Sequence, residues 1–198
     1  MAKSFEFLFD YGSPFSYLAN IQTPGFARRA GAAVIYRPIL LGAVLKATGN
    51  SSPMAVPAKA RYMADDLRRW AARYGVEFRM NPYPFLGNTL PLMRGAVAAQ
   101  RVGAFGAYHD AIFRAVWADG LDLGDRGVLG DALRRAGIDA ATLVAAAELP
   151  EVKDELRRNT ENAIARGVFG APSFLVGDEL YWGNDRFDFI AEALARSV

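Results

Sequence analysis

The sequence predicts an α/β fold whose sheet is split by a long helical insertion. Three observations carry that expectation: a strand-helix-strand pattern opens the chain, a strand-strand-helix pattern closes it, and only helical periodicities lie between them. In the opening unit Phe5, Phe7 and Phe9 alternate with Glu6 and Leu8. This aromatic-rich run ends at Asp10-Tyr11-Gly12 and reads as a mostly buried strand. Ser13-Pro14 then supplies an N-cap followed by proline at the first helical position, and Tyr17, Leu18 and Ile21 give the helix an apolar face. Thr23-Pro24-Gly25 is expected to interrupt it, since proline has no N–H for the helical ladder. Ala33-Val34-Ile35-Tyr36 is the second strand and stops at Pro38, so two parallel strands are joined by a right-handed crossover.

Beyond this unit the period changes. From Pro57 to Tyr74 the apolar positions Ala60, Met63, Ala64, Leu67, Trp70, Ala71 and Tyr74 follow helical spacing, with Arg61, Asp65, Arg68 and Arg69 off the stripe. Asn81-Pro82-Tyr83-Pro84 breaks the pattern, and further helices are expected over 92–101, 105–117, 125–136, 139–147 and 151–166. Strand signals return after Gly167. Ser173-Phe174-Leu175-Val176 and Leu180-Tyr181-Trp182 flank Gly177-Asp178-Glu179 as a hairpin. Gly183-Asn184-Asp185 leads into a last helix with Phe187, Ile190, Ala191 and Leu194 inward. This order is that of a thioredoxin-like fold: residues 1–42 and 167–198 form the thioredoxin-like domain, and 43–166 a helical insertion domain.

Composition narrows the chemistry. A chain of 198 residues with 52% hydrophobic and 22% charged residues is an ordinary globular protein of one domain, or one domain carrying an insertion. The net charge is only +2, and basic residues are interleaved with acids, so no footprint for nucleic acid is present. No apolar run approaches a membrane span, and the first ten residues contain Glu6 and Asp10 and lack a signal-peptide pattern. The expectation is a soluble, cytoplasmic protein. With no cysteine and one histidine, disulfides, thiolate or histidine-rich metal sites and a protein-borne nucleophilic thiol are excluded. Any sulfur chemistry must be imported.

Where a thioredoxin fold begins its first helix, N-terminal N–H groups stabilise a thiolate. Here that place reads Ser13-Pro14-Phe15-Ser16. Ser13 is an N-cap on the plain reading. On the sharper reading its hydroxyl donates to the sulfur of a bound thiol, because a serine without an adjacent base is a poor nucleophile. Gly170-Ala171-Pro172-Ser173, just before the third strand, contains either an ordinary loop proline or a cis proline whose preceding residue offers its backbone to an extended, peptide-like ligand. His109 lies on an apolar helical stripe and reads as a packing histidine, with Phe105, Tyr108, Phe113 and Trp117 as core.

Four stretches together carry a resemblance. They are Phe9-Asp10-Tyr11-Gly12-Ser13-Pro14-Phe15-Ser16-Tyr17-Leu18-Ala19, then Ala58-Lys59-Ala60-Arg61-Tyr62-Met63, Gly167-Val168-Phe169-Gly170-Ala171-Pro172-Ser173-Phe174, and Tyr181-Trp182-Gly183-Asn184-Asp185-Arg186. In this order they resemble the 2-hydroxychromene-2-carboxylate isomerases, a family related to kappa-class glutathione transferases, over essentially the whole chain. The resemblance implies glutathione as cofactor. Ser13 would face its sulfur, and Ala171, ahead of cis-Pro172, would pair by backbone with the cysteinyl unit. Asn184 and Asp185, at the start of the last helix, would receive the γ-glutamyl carboxylate and ammonium. Asn50 and Lys59 match polar positions that contact glutathione in kappa-type relatives. A helix start suits a carboxylate and Asp185 suits an ammonium, although either residue can equally cap the helix, and Lys59 can equally be a solvated side chain.

The implied activity is cis-trans isomerisation between 2-hydroxychromene-2-carboxylate and trans-o-hydroxybenzylidenepyruvate, in aromatic catabolism, by reversible thiolate addition. Such a mechanism needs no protein cysteine. Phe15, Tyr83, Phe85, Trp182 and Arg37 are candidates for holding the small aromatic carboxylate substrate. A homodimer is implied by analogy. Two alternatives stand beside this reading: a kappa-class-like glutathione transferase that conjugates electrophiles, and a cysteine-free thioredoxin-fold module that binds peptides.

Overall fold

A computed structural model describes residues 3–196, apart from the side chains of Pro84 and Phe85, so the substrate candidate Phe85 lies outside the described side chains. The opening unit comprises β1 (Ser4–Phe9), α1 (Pro14–Ala30) and β2 (Ala33–Pro38). Between β2 and β3 lie α2 (Leu41–Ala47), which begins two residues ahead of the expected start of the insertion at 43, then α3 (Pro57–Tyr74), α4 (Leu90–Arg101), α5 (Phe105–Trp117), α6 (Arg126–Arg135), α7 (Ala140–Ala147) and α8 (Pro150–Ala165), with short 3-10 turns at Pro53–Ala55 and Pro84–Gly87. β3 (Ser173–Val176), β4 (Glu179–Trp182) and α9 (Phe187–Arg196) close the chain. The sheet order is β2-β1-β3-β4, with β1 parallel to β2 and antiparallel to β3.

The period of two along β1 divides the core into two layers. Phe5, Phe7 and Phe9 enter a large cluster with Phe26 of α1, Met93 of α4, Phe113 of α5 and Ile190 of α9. Phe7 stacks on Phe174 of β3 at 4.9 Å, and Phe26 links Phe5 (5.5 Å) to Phe187 (4.9 Å). Leu8, on the opposite face, meets Leu175, Ile39, Val44, Ala163 and Val168, so α2 and α8 cover the second side. Each fully buried phenylalanine contributes roughly 2–3 kcal/mol. Both layers need the insertion, which therefore supports the sheet rather than hanging from it.

Two local expectations are corrected. α1 runs through Pro24 and ends at Gly31, whose left-handed backbone (φ 60°) donates to Ala27 O and Arg28 O. The proline removes one helical hydrogen bond, but burial of Thr23, Phe26 and Ala27 on the inner face offsets that loss. In α9 the inward residues are Phe187, Ile190, Ala193 and Leu194, while Ala191 is exposed.

Candidate active site

The site begins at the end of β1. Asp10 is 2% exposed, and its carboxylate accepts from Gly12 N (2.8 Å) through Oδ1 and from Leu41 N (2.8 Å) through Oδ2. Burial pushes its pKa up, against the opposing hydrogen bonds from these two amides and the Thr89 hydroxyl. Asp10 O also accepts from Ser13 N at 3.0 Å, which closes the turn that delivers Ser13 to the cap of α1. Gly12 is required in this turn, because a Cβ there would stand 2.9 Å from Thr89 Cγ2 and 3.3 Å from Leu86 O.

Ser13 is 4% exposed, with φ −95° and ψ 113° as expected of an N-cap. Its Oγ accepts from Ser16 N (3.1 Å) and donates to Ala171 O (2.9 Å). The peptide bond between Ala171 and Pro172 is cis. The hydroxyl at the positive end of a 17-residue helix thus touches the carbonyl that precedes the cis proline, 158 positions along the chain. The Ala171 N–H makes no hydrogen bond among the described residues. It remains available to an extended partner.

The other expected residues fall at graded removes. Asn50 Nδ2 donates to Phe169 O (3.0 Å), tying the loop after α2 to the segment that carries Ala171. Pro172 O accepts from Gly183 N (3.1 Å), which brings the 183–185 turn alongside. Asn184 is buried; its Nδ2 donates to Tyr74 Oη (3.3 Å), and Tyr74 Oη donates to Asn184 O (3.2 Å). Asp185 is exposed, with Arg186 at 3.5 Å. Neither residue opens α9, which begins at Phe187; Ile190 N bonds to Arg186 O, so both lie in the turn ahead of the helix. Lys59 is exposed in the first turn of α3, and its ammonium makes no hydrogen bond or ion pair among the described residues.

Trp182 and Phe169 pack at 5.0 Å beside this segment, and a Cβ on Gly170 would approach Trp182 Nε1 to 2.7 Å. Both rings are partly open, Trp182 by 49%. Arg37 is engaged elsewhere: its Nε donates to Glu6 at 2.7 Å, and it lines a separate cleft of about 320 Å³ with Asn159, Asn162 and Arg166. A larger cleft of about 470 Å³ lies between α1 and α5 and contains none of the expected residues. The chemistry of the serine, the cis proline and the open amide outweighs cleft size in locating the site.

Residues 5–195 match the family described as a DSBA-like thioredoxin domain. A 2-hydroxychromene-2-carboxylate isomerase of Sphingobium xenophagum is 37% identical over 98% of this chain and 99% of its own length. A solved structure of a 2-hydroxychromene-2-carboxylate isomerase superposes with a TM-score of 0.87 at 30% identity, covering 98% of this chain and 95% of that one. The chain belongs to the DSBA-like thioredoxin family, among its 2-hydroxychromene-2-carboxylate isomerases. The human glutathione S-transferase kappa 1 is a more distant relative, 26% identical over 98% of this chain and 92% of its own length.

Membership makes the chain an enzyme of the isomerase class and sets the peptide-binding module aside. Reasoning from sequence alone missed two supports of this isomerase's site. Asp10 was legible in principle, since an aspartate two residues before glycine at a strand end is a common turn former. Tyr74 gave no signal, because its partner Asn184 is 110 positions away.

Proposed function

We propose that this isomerase uses glutathione to interconvert 2-hydroxychromene-2-carboxylate and trans-o-hydroxybenzylidenepyruvate, with Ser13 holding the thiol in its ionised form. The observation that carries the proposal is the Ser13 hydroxyl, capping α1 and 2.9 Å from the carbonyl before Pro172, in a chain without cysteine. The residues present fit a peptide-like thiol. Ala171 offers an open backbone N–H, Ser13 a donor at a helix N-terminus, and Asp185 an exposed carboxylate in the neighbouring turn. When bound, glutathione supplies the thiolate that adds to and leaves the substrate's double bond, allowing rotation in between. Ser13 and the α1 N-terminus lower the thiol pKa, Ala171 and Pro172 hold the cysteinyl backbone, and Asp185 faces the γ-glutamyl ammonium. Asn50 keeps the Phe169 segment in register, Asn184 fixes the turn bearing Asp185, and Lys59 reaches the tripeptide from α3. The open rings of Trp182 and Phe169 support an aromatic substrate. The same reading assigns the chain to the cytoplasm as a homodimer, each subunit divided at 1–42 with 167–198 and at 43–166; no helix among the described residues is long and apolar enough to cross a membrane.

The test is to mix the protein, glutathione and the chromene carboxylate and follow the ultraviolet spectrum, omitting the thiol as control. Equal rates without thiol would refute the proposal. Ser13→Ala is expected to lower turnover by about 10- to 1,000-fold while glutathione affinity changes by less than about fivefold, the pattern of a bond that matters in the transition state. The similarity to kappa-class transferases favours one second reading, net conjugation of electrophiles. Accumulation of a stable glutathione adduct in the same assay would select it.

A further inference from the structure

Resting on the glutathione reading, the contact between Ser13 and Ala171 assigns the Ala171 carbonyl a second task. The Ser13 hydroxyl has one proton, which points at Ala171 O at 2.9 Å, while its oxygen accepts from Ser16 N at 3.1 Å. Ser13 is 4% exposed, and the bond joins two segments that are otherwise far apart in sequence. A hydroxyl engaged in this way cannot donate to a sulfur at the same time. Turning it toward sulfur leaves Ala171 O without its donor, and losing that partner cancels much of what the new bond gains.

A chain laid antiparallel on Ala171 exchanges two hydrogen bonds with it, one from the Ala171 N–H and one to the Ala171 carbonyl. The N–H is already open among the described residues. We infer that the Ala171 carbonyl makes the Ser13 contribution to thiol ionisation conditional on a peptide amide: Ser13 turns its proton to the sulfur only when an N–H of the bound thiol takes over Ala171 O. Ser13 keeps its proton throughout and changes only its acceptor, and the thiol's own proton goes to solvent. Selectivity among thiols follows. Cysteinyl peptides acylated on the cysteine nitrogen gain the hydroxyl's full help, whereas simple mercaptans such as 2-mercaptoethanol reach the same serine and are acidified by the α1 N-terminus alone.

The test titrates the bound thiol through the ultraviolet absorbance of its thiolate, at saturating ligand. Glutathione is compared with its depsipeptide analogue, in which the amide N–H between the γ-glutamyl and cysteinyl units is an ester oxygen. In the native protein the analogue's thiol pKa is expected about one unit above that of glutathione, the equivalent of one hydrogen bond. In Ser13→Ala the two ligands titrate together. Equal values in the native protein overturn this inference alone, leaving the cofactor reading intact. A gap that persists in Ser13→Ala also overturns it, since the amide would then act without the hydroxyl. Absence of saturable glutathione binding overturns the cofactor reading and this inference with it.

Discussion

His109 sets a limit on the acid stability of the fold. Its ring is buried among Phe9, Phe105, Tyr36 and Phe113, with centroids 4.5 to 5.0 Å away, and desolvation lowers its pKa from 6.5 to about 3. Nε2 meets Asn20 Oδ1 at 2.9 Å and Nδ1 meets Tyr11 Oη at 3.1 Å, an arrangement that suits the neutral tautomer donating from Nε2 and accepting at Nδ1. The folded state therefore binds fewer protons than the unfolded chain. Stability from this group is fully present above the unfolded value and is lost as pH falls from about 6.5 toward 3. At about 1.4 kcal/mol per unit, lowering the pH from about 7 to 4.5 costs on the order of 3 kcal/mol, and roughly half of that is lost by pH 5.5. Urea unfolding of the native protein and His109→Gln across this range isolates the effect, because the other titrating groups are common to both. The native protein should lose about 3 kcal/mol more than the variant. Parallel pH profiles would refute the reasoning, and so would a proton NMR titration in which the chain's one imidazole changes state near pH 6 in the folded protein.

Three further outcomes are expected. The Ser16 hydroxyl is fully buried without a hydrogen-bond partner among the described residues, so Ser16→Ala should raise stability by about 1 kcal/mol in urea unfolding; a loss instead would mean the hydroxyl has a partner. A methyl on Gly95 would collide with the Tyr108 hydroxyl and come within 2.7 Å of its Cζ. Gly95→Ala should therefore lower stability by about 2–4 kcal/mol, by overpacking and by breaking the Tyr108 bond to Leu92 O, and an unchanged melting temperature would disprove the close contact. Asp185→Ala should weaken glutathione binding about 5- to 50-fold in calorimetry with little change in stability, since the side chain is exposed; unaltered affinity would remove Asp185 from the site.

What the sequence revealed is what local periodicity encodes. The alternating phenylalanines of β1 and the apolar stripe of α3 declare themselves within one short window and form as expected; the closing hairpin forms too, but on the two-residue turn Gly177-Asp178, because Glu179, expected in the turn, already pairs with Val176 as the first residue of β4. Ser13 and Pro172 were legible for the same reason, as a cap and a pre-strand proline, but their contact was not, because nothing local specifies a bond across 158 positions. Pro24 misled because a helix-breaking residue was weighed without the inner-face burial that keeps α1 intact. Arg37 looked like a free cation for a substrate carboxylate. Glu6, which also pairs with Arg166, had no sequence signal of its role as acceptor between two arginines.

Many of the contacts that hold the loop presenting Ser13 come from residues between β2 and β3. Tyr11 N donates to Met93 Sδ (3.4 Å), Tyr11 O accepts from Trp117 Nε1 (2.8 Å), and Tyr11 Oη meets His109. Asp10 is bound by Leu41 N and the Thr89 hydroxyl, and the turn bearing Asp185 is pinned by Tyr74. Every one of these partners lies between β2 and β3. The strand and helix ends that position the serine thus come from the opening of the chain, and these fixing contacts come from the stretch between β2 and β3. A hydroxyl that must hold hydrogen bonds near 3 Å on two sides tolerates little drift, since such bonds weaken steeply with misalignment. Damage to the packing of α4 and α5, as in Gly95→Ala, should therefore reduce turnover even in the molecules that remain folded, although neither helix carries a residue assigned to the chemistry.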